Sequence, residues 1–139
     1  MGEIFTYRTS VRYLETDQQG VVFNMWYLGY FDEAMNAYLD ARGPGYAEMI
    51  ARGYDVQLVH SELDWRAALR WQDDAEIAVS PSRIGTTSFT LDFAVRLAGE
   101  DDVRVTGRTV YVVVATDGSG KREVPPEMRA ALEPVTPLF

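Results

Sequence analysis

At 139 residues the chain has the size of one domain, and with 47% of it hydrophobic it can close a core without a second one. The absence of cysteine removes disulfide frameworks, thiolate nucleophiles and cysteine-held metal clusters together. A net charge of -8 sets the surface against phosphate backbones and anionic membranes, although a few clustered arginines can still hold an anionic ligand.

From Phe5 to Tyr13, apolar Phe5, Tyr7, Val11 and Tyr13 alternate with polar Thr6, Arg8, Ser10 and Arg12, the period of a half-buried strand. The segment from Glu15 to Phe23 loses that alternation, carries Gly20 and reads as a loop. The period then changes. Tyr27, Leu28, Phe31, Ala34, Met35, Tyr38 and Leu39 recur at three and four, which predicts a long helix from Asn24 to Arg42 with Asn24 as its N-cap and Gly43-Pro44-Gly45 as its stop. Because Met25, Trp26 and Tyr30 are apolar too, broad burial of this helix is expected. A short helical or irregular piece over 46–52 precedes further strands over 59–69, 75–79 (weakly alternating, before Pro81), 89–97 and 103–116. Val110 to Val114 is apolar on both faces, which calls for cover on the second side of the sheet, from the C-terminal tail or from a partner subunit, and an oligomer is predicted. Asp117-Gly118-Ser119-Gly120 reads as a turn and 126–132 as a short helix with proline in its first turn. This order describes an α+β fold, a single domain over 1–139, in which one long central helix is wrapped by a roughly five-stranded antiparallel meander.

The one histidine, His60, would have to serve as base in any serine triad, yet it shares a strand face with Glu62, Asp64 and Arg66 and reads as a surface or interface residue. A metal centre would have to be all-carboxylate, and no spacing requires one. The acidic candidates are Glu15 and Asp17, in the loop Glu15-Thr16-Asp17-Gln18-Gln19-Gly20 just ahead of the helix. A helix start offers unpaired amides and a positive dipole end, which suit an oxygen that is gaining charge. A carboxylate beside it can attack a polarised carbonyl or deprotonate a water that does. Turn initiation or compensation of the helix dipole would use the same two side chains, and the residue types leave both readings open.

The run from Arg12 to Leu28, with Thr16-Asp17, Gly20, Val21-Val22-Phe23 and Tyr27 in order, resembles the signature of the 4-hydroxybenzoyl-CoA thioesterase-like hotdog family. Tyr30-Phe31-Asp32, Asp64-Trp65-Arg66 with Asp73-Asp74, and Ile84-Gly85-Thr86-Thr87-Ser88-Phe89 are similar to the segments that follow in that family, so the resemblance covers most of the chain. It implies a hotdog fold, a dimer or a tetramer of dimers, and hydrolysis of acyl-CoA thioesters at a site between subunits. Asp17 would be the nucleophile or general base, and the backbone N–H groups of Asn24 and Met25 the oxyanion site. Tyr27, Thr86, Thr87 and Ser88 are the candidates for substrate contact, with core packing the alternative for Tyr27 and an ordinary strand start the alternative for the other three, and Arg66, Arg70, Arg83, Lys121 and Arg122 are candidates for the nucleotide phosphates. No metal, flavin or nicotinamide is needed, coenzyme A being part of the substrate. The chain departs from the family at Asn24, where many members have histidine, and at Trp26, where they have asparagine. These departures leave room for a non-catalytic acyl-CoA-binding protein, and the shared fold for a dehydratase or hydratase, which would need a histidine near an acid at the helix. With no leader-like segment and no apolar stretch of bilayer length, a soluble cytoplasmic protein is expected.

Overall fold

A computed structural model of the chain describes residues 3–139. The elements are β1 (Phe5–Ser10), a single 3-10 turn (Tyr13–Glu15), α1 (Trp26–Arg42), α2 (Tyr46–Ala51), β2 (Tyr54–Trp65), β3 (Asp74–Ile84), β4 (Ser88–Leu97), β5 (Val103–Ala115) and α3 (Pro126–Leu132). The strands form one antiparallel sheet in the order β1-β3-β4-β5-β2. Only β3, β4 and β5 are a meander; β1 and β2 take the two edges, where a meander of consecutive strands was expected.

Alternation fixes which face meets the helix. Phe89, Leu91, Phe93 and Val95 of β4 are buried beneath α1, with Ile77 and Val79 of β3 and Val105, Tyr111 and Val113 of β5 beside them. Phe31 of α1 stacks on Phe93 with ring centroids 4.4 Å apart. Gly107 of β5 makes room for it, since a Cβ there would lie 2.7 Å from Phe31 Cζ and closer still to Cε2. The opposite face of the sheet is covered in part by the C-terminal tail. Thr136 N donates to Pro81 O at 2.8 Å and Leu138 N to Asp92 Oδ2 at 3.0 Å. Asp92, fully buried, also receives Arg108 Nε at 2.7 Å and Nη2 at 3.0 Å. Val110, Val112 and Val114 stay half-buried on that face.

Several expectations are corrected. Helix α1 is of ordinary length, 17 residues, and is buried along one stripe (Tyr27, Tyr30, Phe31, Ala34, Met35, Tyr38, Leu39), while Met25 is 66% exposed. Asn24 is not the N-cap: Met25 occupies the cap position in helical conformation, among the described residues no side chain caps the helix, and Trp26 N donates to Phe23 O at 2.8 Å instead. β1 ends at Ser10 because its partner β3 begins at Asp74, so Tyr13 turns outward. β2 runs over 54–65, not 59–69; a bulge between Leu58 and His60 shifts the alternation and leaves Val59 exposed on this edge strand. β3 continues through Pro81, since β1 pairs only as far as Val79 and the strand bulges between Pro81 and Arg83, so no ladder partner needs the missing N–H. Among the described residues no helix is long and apolar enough to cross a membrane.

Candidate active site

After β1 the chain makes its 3-10 turn and doubles back as a short tongue. Phe23 N donates to Glu15 O at 2.9 Å, Thr16 and Val22 bridge, and Asp17 N donates to Val21 O at 2.9 Å. Gly20 closes the tip at φ 78, a left-handed conformation that costs glycine little, and its N–H donates to Asp17 O at 2.9 Å. The returning limb is held to the β2–β3 connection, where Val22 N donates to Leu69 O at 2.9 Å and Val21 bridges Arg70.

Asp17 is half-buried near the tip. Its Oδ1 accepts from Gln19 N at 2.8 Å, and Oδ2 has no hydrogen-bond partner among the described residues. It opens on a cleft of about 580 Å³ lined by Tyr13, Leu14, Thr16, Gln18, Gly20 and Trp71, a volume in the range of small-molecule sites. Tyr13 and Trp71, packed edge to face with centroids 5.4 Å apart, form an exposed aromatic wall that the sequence reading missed. The signal available was two large aromatics, one in the supposed strand end and one in a polar loop.

Glu15, two residues earlier, is 2% exposed and saturated with donors. Arg12 N reaches Oε1 at 2.8 Å, Arg12 Nε and Nη2 reach Oε2 at 3.0 and 2.8 Å, and Tyr30 Oη donates to Oε1 at 2.8 Å. Burial alone would push this carboxyl up; the bonds from Arg12 and Tyr30 outweigh it and hold it below its ordinary value. Burial and the adjacent Glu15 carboxylate push the Tyr30 phenol far above its usual range. Of the two acids weighed from the sequence, Glu15 is therefore bound up in the fold and Asp17 is the one with a free oxygen.

At the opening of α1, Asn24 and Met25 are exposed, and among the described residues no backbone carbonyl accepts from their amides. The ladder of the tongue separates Asp17 from this opening by three residue steps from its partner Val21 to Asn24, roughly 10 Å of extended backbone. Trp26 is half-buried and packs against the core. Tyr27 is a core residue: it is 1% exposed and its hydroxyl accepts from Leu69 N at 3.2 Å.

Thr86, Thr87 and Ser88 lie at the far end of the sheet within one chain. The ten residues of β4, roughly 33 Å of strand, separate them from the end that carries the tongue. There Thr86 O and Thr87 O accept from Val124 N and Val113 N at 2.9 and 2.8 Å. The basic residues divide the same way, Arg66 and Arg70 at the tongue end and Arg83, Lys121 and Arg122 at the Thr86 end. His60 is exposed; its strand partner Val110 alternates with buried Tyr111, so the imidazole stands on the sheet face away from α1.

Residues 11–132 match the Thioesterase-like superfamily. A 1,4-dihydroxy-2-naphthoyl-CoA hydrolase of Nostoc punctiforme is 28% identical over 130 residues, 93% of this chain and 86% of that protein. A solved hypothetical protein of Aquifex aeolicus superposes with a TM-score of 0.87 at 27% identity, covering 93% of this chain and 99% of its own. A solved 1,4-dihydroxy-2-naphthoyl-CoA thioesterase of Synechocystis, at 22% identity, shares the fold with a TM-score of 0.84 over 94% of this chain and 96% of that one. With a match over most of its length, this α+β hotdog chain belongs to the Thioesterase-like superfamily, whose reaction class is thioester hydrolysis.

Proposed function

We propose that the chain hydrolyses an acyl-CoA thioester to the free acid and coenzyme A, with Asp17 as the acting carboxylate. The observation that carries this is a half-buried carboxylate with a free oxygen, set on a cleft at one end of a tongue whose other end leads, roughly 10 Å on, into a helix opening whose amides lack backbone acceptors. Asp17 either removes a proton from a water that adds to the thioester carbon or adds to that carbon itself. In both routes the carbonyl oxygen gains a negative charge, and the amides of Asn24 and Met25 are its donors. Collapse expels the coenzyme A thiolate: in the first route it takes up the proton that Asp17 removed from water, and in the second water opens the acyl-enzyme anhydride to two carboxylates, one of its protons going to the thiolate and the other to solvent. Because the donors are backbone groups, Asn24 in place of histidine does not remove them.

The active assembly is a homo-oligomer, a dimer or a tetramer of dimers, in the cytoplasm. The long β2 edge, with Leu58, Val59 and Trp65 exposed along it, supports this, since an unpaired edge of 12 residues invites a second strand. Two-fold antiparallel pairing of β2 edges would carry the Thr86 end of one sheet toward the tongue end of the other, which reconciles the division of the expected substrate contacts. Monomeric sedimentation at micromolar concentration contradicts it. The position of His60 on the face away from α1 counts against a dehydratase.

The test is release of free thiol from a panel of aromatic, short-chain and long-chain acyl-CoAs and carrier-protein thioesters, led by naphthoyl-CoA esters, the class that the Nostoc relative's name carries. Asp17→Asn is expected to lower turnover by at least about a hundredfold. Undiminished turnover in that variant refutes the assignment, and ligand binding without turnover on any thioester identifies a binding protein instead.

A further inference from the structure

We infer that Glu15 is a positioning residue for this hydrolysis, fastening the tongue that carries Asp17 to the second turn of α1 and so fixing Asp17 relative to the amides that open the helix. The inference rests on the role proposed for Asp17. A glutamate that only initiated the 3-10 turn would need the Arg12 amide, the bond of an ordinary capping contact. Glu15 does more. Its backbone oxygen holds Phe23 N, the last residue of the tongue before the helix approach, at 2.9 Å, and its carboxylate takes the Tyr30 hydroxyl at 2.8 Å. Among the described residues that is the one side-chain hydrogen bond between the tongue and its turn on one side and α1 on the other. Tyr30 is 1% exposed and braced edge to face by Tyr27, with centroids 5.7 Å apart, so the hydroxyl has little freedom to follow a drifting tongue. Arg12 neutralises the buried charge through two further bonds, which lets a carboxylate serve as the fastener at a buried position.

Tyr30→Phe removes the fastening hydroxyl and keeps the ring. It is expected to lower kcat by about 10- to 100-fold with KM changed less than about threefold, because a displacement of about 1 Å at the reacting carboxylate is enough for such a loss. Glu15→Gln, whose amide oxygen still accepts from Tyr30, is expected to keep at least about a third of wild-type kcat. In an Asp17→Asn background Tyr30→Phe should have no further effect, since both act on one step. Amide hydrogen exchange at Val22 and Phe23 should quicken by at least about tenfold in Tyr30→Phe while β4 and β5 keep their protection. Unchanged kcat, an equal further loss in the Asp17→Asn background, or unchanged exchange at Phe23 each overturns the inference. A wild type without turnover refutes the proposed function instead, and the exchange measurement then still decides whether Glu15 fastens the tongue.

Discussion

Gly107→Ala is a sharp probe of how α1 is seated, because one methyl group has nowhere to go. Its Cβ would lie 2.7 Å from Phe31 Cζ and nearer to Cε2, and Phe31 cannot swing aside without leaving its stack on Phe93. Overpacking of this kind costs about 1–3 kcal/mol, and weakening the aromatic pair adds up to about 1 kcal/mol. Against this, alanine recovers about 0.4–1 kcal/mol by restricting the unfolded chain. The net destabilisation is about 1–3 kcal/mol, a fall in Tm of about 3–10 °C for a domain of this length. Urea and thermal unfolding followed by circular dichroism measure it. Phe31→Leu combined with Gly107→Ala should be less destabilised than the sum of the single variants, because the smaller side chain vacates the contested space. A single Gly107→Ala variant as stable as wild type, or more so, refutes the packing argument.

Glu15 has a folded-state pKa below its ordinary 4.5, so its stabilisation is complete above about pH 4.5 and is lost as pH falls through the lower folded value. Unfolding free energies from about pH 7 down to about pH 3 should fall less steeply for Glu15→Gln than for wild type, and parallel curves would contradict this. Arg108→Ala leaves Asp92 buried without its guanidinium and should cost about 2–4 kcal/mol in urea unfolding, below the value for a fully buried pair because Arg108 is part exposed. An effect under about 0.5 kcal/mol would show that the tail and backbone suffice. His60→Ala should leave thioester turnover within about twofold of wild type, and a large loss would return histidine to the mechanism.

The alternating strands β1, β4 and β5, the helical stripe from Tyr27 to Leu39 and the proline-led α3 were legible in the sequence because each has a local cause, a hydrophobic period or a fixed φ, that acts within a few residues. The order Thr16-Asp17, Gly20, Tyr27 carried the resemblance to the family, to which the match over residues 11–132 assigns the chain. What remained hidden depended on residues far apart in the chain. The end of β1 was set by where β3 begins, the bulge of β2 by its place at the sheet edge, and the passage of β3 through Pro81 by the absence of a β1 residue opposite it. Glu15 and Asp17 looked alike in sequence, two carboxylates in one polar loop. The family resemblance singled out Asp17, and the fold supplies the physical difference, burying Glu15 against Tyr30 of the helix while leaving Asp17 an oxygen without a partner among the described residues, because burial and hydrogen-bond partners are supplied by neighbours in space.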